Sequence, residues 1–199
     1  MKNLLLIGCG GHSRSLIDLI ETTVHWKIYG LVGLPEQVGT NVFGYTVLCS
    51  DQELPAMVDD CPLAVLAIGQ LPDPSLRVHL AQYLDKIGFK SPVLISPYAV
   101  VSRHAQIGHG TVVGHGAIVN AGAVIGDHCI INSHALIEHD SQIGNHTHVS
   151  TGALINGGVT VGPRSFIGSG AMIRDGLSIP SSTVISAGTR VMGWPLRDQ

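Results

Sequence analysis

The sequence predicts an α/β domain over residues 1–94 followed by a parallel β-helix over residues 95–199. Three observations predict it. From Ile95 to Val191 every sixth residue is Ile or Val without interruption. Before that run, short apolar stretches alternate with helix-like stretches. Between the first two of these lies a glycine-rich loop, Gly8-Cys9-Gly10-Gly11-His12.

In the first domain, Leu4-Leu5-Leu6-Ile7 reads as a buried strand, and Ser13 to Thr22 reads as a helix with apolar Leu16, Ile17, Leu19 and Ile20. Lys27 to Val32 is expected to be a second strand and Tyr45-Thr46-Val47-Leu48 a third. Ser50 with Glu53 has the spacing of a capping box opening a short helix. Leu63 to Ile68 reads as a buried strand ending at Gly69. Pro74 to Ile87 reads as a helix carrying Leu76, Leu80, Leu84 and Ile87 on one face and stopped by Gly88. That alternation implies a small parallel sheet with helices packed on it.

The second domain follows from its stride. A period of six fits neither the 3.6-residue helix nor an indefinitely continued two-residue alternation. It is the signature of a parallel β-helix, in which three repeats make one coil and the repeated aliphatic points inward. Four residues after each aliphatic comes a mostly small side chain, such as Ala117, Ala123, Cys129, Ala135 and Ser141, which suits the narrow axis. The tight turns explain the many glycines.

Composition narrows the function. The chain has 199 residues, 45% hydrophobic, with a mean hydropathy of +0.33 and 5% aromatics. No run approaches the roughly 20 apolar residues of a membrane span, and the apolar N-terminus lacks the form of a signal peptide. A net charge of −3 without a basic run argues against nucleic acid as a main partner. Four cysteines, Cys9, Cys49, Cys61 and Cys129, form no CxxC pair, so a reducing cytoplasm is the expected compartment. Cys129 falls in a small-residue packing position and is expected to be inert.

Two stretches could carry chemistry. The glycine loop lies where ligands of open α/β sheets bind, and the following helix N-terminus favours an anion. Its spacing is G-x-G-G-H rather than G-x-G-x-x-G. The second strand, Gly30-Leu31-Val32-Gly33-Leu34, ends without the acidic residue that commonly reads a ribose hydroxyl; Glu36 comes after a proline. The other stretch stands out among 11 histidines, most of which fall in turns or on outward positions. Ile137-Glu138-His139-Asp140 places an imidazole between two carboxylates, which can fix its tautomer and leave the other nitrogen as a base near neutral pH. His148, half a coil on, would reach His139 of another chain more easily than its own.

On these residues the chain resembles the hexapeptide-repeat sugar acetyltransferases of the NeuD/PglD type. Gly8-Cys9-Gly10-Gly11-His12 is similar to that family's opening G-A-G-G-H. Ala67-Ile68-Gly69 with Arg77 resembles its middle motif, and Ile130-Ile131-Asn132 through His139-Asp140 to His148-Val149-Ser150-Thr151-Gly152 its catalytic segment. Gly193-Trp194-Pro195 resembles its closing G-x-P. The resemblance implies a Rossmann-like sugar-binding domain before a left-handed β-helix, a homotrimer with sites between subunits, and acetyl-CoA as co-substrate without a metal. It implies His139 as general base tuned by Asp140. His148 would lie near the acetyl group, the N–H groups of Gly157, Ser169 and Ala187 along the acetyl-CoA groove, and Gly10, Gly11, His12 and Gly69 at the sugar or its phosphates. The missing acid leaves both a nucleotide-activated sugar and a free sialic acid open as acceptor. A zinc lyase resembling the gamma-class carbonic anhydrases is the competing reading. His134 and His139 have its five-residue spacing, but Tyr98 stands where a third histidine would.

Overall fold

The computed structural model describes residues 1–70 and 73–195, so the expected end of the second domain at residue 199 lies outside the described residues. Met1–Gly69 and Ser75–Pro92 form one compact unit. Gln70 and the chain from Val93 on belong to the other.

The first unit is a five-stranded sheet. β1 (Lys2–Ile7) leads through the glycine loop into α1 (Gly11–Glu21), which begins two residues earlier than its apolar pattern indicates because glycine carries no hydrophobic signal. β2 (Trp26–Gly33) follows, then a hairpin of β3 (Asn41–Val42) and β4 (Tyr45–Ser50). The capping box is formed: Glu53 Oε2 accepts from the Ser50 N–H at 2.9 Å and from its hydroxyl at 3.2 Å, ahead of α2 (Leu54–Met57). β5 (Ala64–Leu66) and α3 (Ser75–Ile87) complete the unit. The strand order β3-β4-β2-β1-β5 is parallel except for β3, which pairs antiparallel with β4. No α-helix separates β2 from β4, only the short 3-10 turn Pro35–Gln37 and β3. Phe43 and Gly44 take positive φ (50° and 91°) in the tight turn between β3 and β4. Leu4–Ile7, Leu31, Val32 and Ala64–Leu66 are fully buried, and of these Leu5, Ile7, Val32, Ala64 and Leu66 share one core with Leu80, Ala81 and Leu84 of α3. Leu76 does not join that face; it is 62% exposed.

The second unit is the β-helix, with two-residue strands on three parallel faces. The first face runs from Leu94–Ile95 to Val184–Ile185, the second from Val100–Val101 to Arg190–Val191, the third from Gln106–Ile107 to Ser178–Ile179. Each strand pairs with the residue eighteen on, as Ile118↔Leu136 and Ile137↔Ile155. From Val113 to Val191 every repeated aliphatic is buried, whereas Ile95 in the first coil stays 40% exposed. Trp194 packs against the far end of this core. Interior hydroxyls at the small-residue positions satisfy themselves on corner carbonyls: Thr111 donates to Gly126 O, Ser141 to Asn156 O and Thr147 to Gly162 O. Polar atoms at the axis are thus hydrogen-bonded, as burial requires.

The corners have their own rule. Every sixth residue from Gly110 to Gly188 has φ near +60°. Glycine fills most of these positions, and His128, His134, Asp140, His146, Arg164 and Ser182 fill the rest. Histidine and aspartate are among the residues that tolerate this left-handed conformation best. Three of the histidines are therefore part of the corner geometry. His128 is only 3% exposed and stacks on His146 with ring centroids 5.4 Å apart, so it is not the solvated turn residue its phase suggests.

Candidate active site

The corner between the second and third faces carries the concentrated chemistry. Ile137 points inward and is fully buried, which fixes the chain that follows it. His139 Nδ1 lies 2.9 Å from Asp140 Oδ2. A carboxylate can only accept, so the proton sits on Nδ1 and Nε2 carries the lone pair. That hydrogen bond raises the imidazole above its ordinary value; slight desolvation opposes it, and the charges of Asp140 and Glu138 add to it. Glu138 is itself placed by Asn120, whose amide donates to Oε2 at 2.9 Å, and it accepts from the His139 N–H at 3.2 Å. Both imidazole and Asp140 carboxylate are largely exposed, at 65% and 73%.

The neighbouring coils make room for them. One coil before, Gly122 sits under Asp140: a Cβ there would lie 2.4 Å from Oδ1. One coil after, a Cβ on Gly157 would lie 2.7 Å from His139 Nε2 and 2.8 Å from Cε1. Gly157 has no positive φ, so the backbone does not demand glycine there. The imidazole lying over it does. Gly158 N–H donates to the His139 carbonyl at 2.9 Å and ties the two coils together.

The structure divides the remaining expected residues. His139, Asp140 and Gly157 share one corner. Ser169 and Ala187 lie at the corner between the first and second faces, beside each other in successive coils, where Gly188 N–H donates to Ser169 O. The N–H groups of Gly157, Ser169 and Ala187 make no backbone hydrogen bond among the described residues. His148 is on the first face and is 7% exposed. Its Nδ1 is 3.0 Å from the Gln70 carbonyl, its Nε2 is 3.3 Å from the Asn132 amide, and its ring meets Phe166 edge-on. It is thus held within its own chain rather than turned outward as its phase suggests. Asn132, whose amide also accepts from Ser133 N–H, is a polar neighbour that sequence periodicity did not single out. Cys129 is fully buried, with Sγ 3.2 Å from the Gly144 carbonyl, as expected of a packing residue.

In the first unit the glycine loop opens α1 without a side-chain cap at Gly10. Gly8, at φ 120°, is required: a Cβ would strike Ile68 Cγ2 at 2.5 Å. A Cβ on Gly10 or Gly11 would meet nothing within 4 Å, so these two leave the first N–H groups of the helix open to approach. Gly69 adjoins His12: a Cβ on Gly69 would lie 3.7 Å from His12 Cβ. The four residues named for substrate contact therefore lie together. A cavity of about 210 Å³ adjoins the loop, lined by Ile7, Val32, Leu34, Ile68, Leu76 and Leu80 with the polar Cys9, Gln37 and Asp51. It opens at the carboxyl ends of β1, β2 and β5, where the strand order reverses direction, the usual ligand position of such sheets.

Comparison with known proteins bears on these features. The PglD N-terminal domain family matches residues 3–84, and the six-repeat bacterial transferase hexapeptide family matches residues 104–139 and 140–175. Perosamine N-acetyltransferase (PerB) from Caulobacter crescentus, solved with CoA and GDP-perosamine, is 31% identical with a TM-score of 0.89, over 100% of this chain and 90% of that one. The same match holds for its variant with one histidine changed to asparagine. The acetyltransferase domain of PglB from Neisseria gonorrhoeae, solved also with acetyl coenzyme A, is 30% identical with a TM-score of 0.86, over 96% of this chain and 92% of that one. WeeI from Acinetobacter baumannii, at 22% identity and a TM-score of 0.75, shares the fold. No curated protein matches. With a PglD-type Rossmann-like domain ahead of a left-handed hexapeptide β-helix, the chain belongs to the NeuD/PglD-type sugar acetyltransferases.

Proposed function

We propose that the protein transfers the acetyl group of acetyl-CoA to an amine or hydroxyl of a nucleotide-activated sugar, with His139 as general base. The observation that carries this reading is the open Nε2 of His139, fixed as the basic nitrogen by Asp140 and resting on Gly157. As the acceptor nitrogen or oxygen attacks the thioester carbon, Nε2 takes its proton. The C–S bond then breaks, and the thiolate leaves as CoA after protonation. A free N–H at Gly157, one coil from Nε2, suits the developing oxyanion. Ser169 and Ala187, whose corner is not that of His139, and His148 in the adjoining first-face strand serve acetyl-CoA from a neighbouring subunit. The exposed apolar outer residues Val100, Ile118 and Leu154 of the second face support a homotrimer. Gly10, Gly11, His12 and Gly69 receive the phosphates and sugar, and the protein works in the cytoplasm. No helix among the described residues is long and apolar enough to cross a membrane.

Thiol release from acetyl-CoA, screened against nucleotide-linked amino sugars and free sialic acids, tests the acceptor class. Release only with a nucleotide-linked sugar is expected; release only with a free sialic acid replaces the acceptor named here.

Asp140→Asn tests the base. Asparagine accepts the left-handed φ of 60° at this position, so the corner is retained while the charge is lost. The raised histidine pKa means that Nε2 is protonated, and inactive as a base, up to a higher pH than usual. Removing Asp140 lowers that pKa. The acid limb of kcat/KM is expected to move to lower pH while the plateau drops about tenfold or more, with the loss of tautomer control.

A further inference from the structure

The tip of β2 lacks an acid, and the structure gives the reason. A Cβ on Gly33 would lie 2.9 Å from Cys9 Sγ and 3.0 Å from Gln37 Oε1, so the space an acidic side chain would use is already filled. Gln37 fills it from the short 3-10 turn Pro35–Gln37. Its Oε1 accepts two hydrogen bonds, from the Leu34 N–H at 2.8 Å and from the Cys9 thiol at 3.1 Å. Since a backbone N–H can only donate, the atom it meets must be the amide oxygen, and the orientation of the amide is settled by chemistry. Both oxygen lone pairs are engaged. What Gln37 still offers to the adjoining cavity is its amide N–H₂, which makes no hydrogen bond among the described residues.

An acid at this place accepts from ribose hydroxyls. Gln37 presents the opposite polarity. We propose that Gln37 is a specificity-determining residue which donates to a carbonyl oxygen on the base of the nucleotide-linked substrate, the base lying in the cavity of Ile7, Val32, Leu34, Ile68, Leu76 and Leu80. The cavity suits a base: its walls are mostly aliphatic, and the polar groups on it are few. Asp51 adds one carboxylate, an acceptor that fits a ring N–H beside such a carbonyl. The cavity adjoins Gly10, so a nucleoside there places its phosphates by the open N-terminus of α1. This assignment rests on the nucleotide-sugar reading and names the part of that substrate which the first unit selects.

The test uses the full chain and calorimetric titration with GDP, UDP and ADP. Guanine and uracil carry ring carbonyls and adenine none, so GDP or UDP is expected to bind about tenfold or more tighter than ADP, the cost of leaving a site's polar group unpaired. Gln37→Glu keeps an oxygen for the Leu34 N–H and the Cys9 thiol, so the thermal midpoint should hold. It replaces the donor by an acceptor, and the preferred nucleotide should bind about tenfold or more weakly. Gln37→Met removes the donor without adding charge and should weaken binding in the same direction. If Gln37→Glu binds as well as the wild type or tighter, the ligand donates there, as a ribose hydroxyl would, and the assignment falls. ADP binding as tightly as GDP and UDP also overturns it. If the wild-type chain binds none of the three, the nucleotide-sugar reading fails first and this assignment with it.

Discussion

His139→Ala is expected to lower turnover by roughly 10²–10⁴-fold, the usual contribution of a positioned general base, while acetyl-CoA binding and assembly stay near normal. The separation follows from position. The imidazole is 65% exposed at a corner and supports no core side chain; the buried anchor of that corner is Ile137. The backbone at 139 is held by the Gly158 N–H and by the Glu138 carboxylate, neither of which uses the ring. KM for acetyl-CoA should therefore change little, with the loss in kcat. A variant whose KM rises while kcat holds would recast His139 as a binding residue.

Gly157→Ala is expected to cost about 10²-fold in kcat with little loss of stability. The added methyl would lie 2.7 Å from Nε2, closer than packed atoms allow, so the imidazole must swing away from its place over the coil. A misplacement of about 1 Å can cost about 10²-fold in a reaction that depends on alignment. The folding cost is small because the backbone at 157 is not left-handed and the ring that must move is largely exposed. Gly158→Ala next to it makes the useful contrast. A Cβ there meets nothing within 4 Å, but φ is +66°, so that variant should lose stability without displacing the imidazole. Thermal midpoints and kcat for the pair separate the two effects.

Much of the second unit was legible from the chain. Its stride of six is set by inward packing, and inward packing decides which residues are buried from Val113 to Val191. Glu138-His139-Asp140 stood out because packing does not require three ionisable groups after Ile137. The stride is silent about the outer surface, and there the reading fell short. The burial of His148 comes from Gln70, nearly eighty residues earlier in the chain, which no local pattern reports. His128, His134 and His146 answer to a left-handed corner that most coils give to glycine, so their number overstated the chemistry. In the first unit the strands were legible from their apolar runs, but the β3–β4 hairpin was not, because its turn is Phe43-Gly44 rather than a common turn pair. Leu76 followed the helical period of α3 yet lines the cavity. Gln37 was hidden for a related reason: its place depends on what crowds Gly33 from another strand and loop.

The central claim is that an imidazole at this corner takes the acceptor's proton, and chemical rescue tests it most directly. The measurement is acetyl transfer by His139→Ala with and without added imidazole, at saturating acetyl-CoA and acceptor. The account predicts turnover about 10²-fold or more below wild type, rising saturably with imidazole because the emptied place is open to solvent. Turnover close to wild type without imidazole, and unchanged by it, would contradict the account.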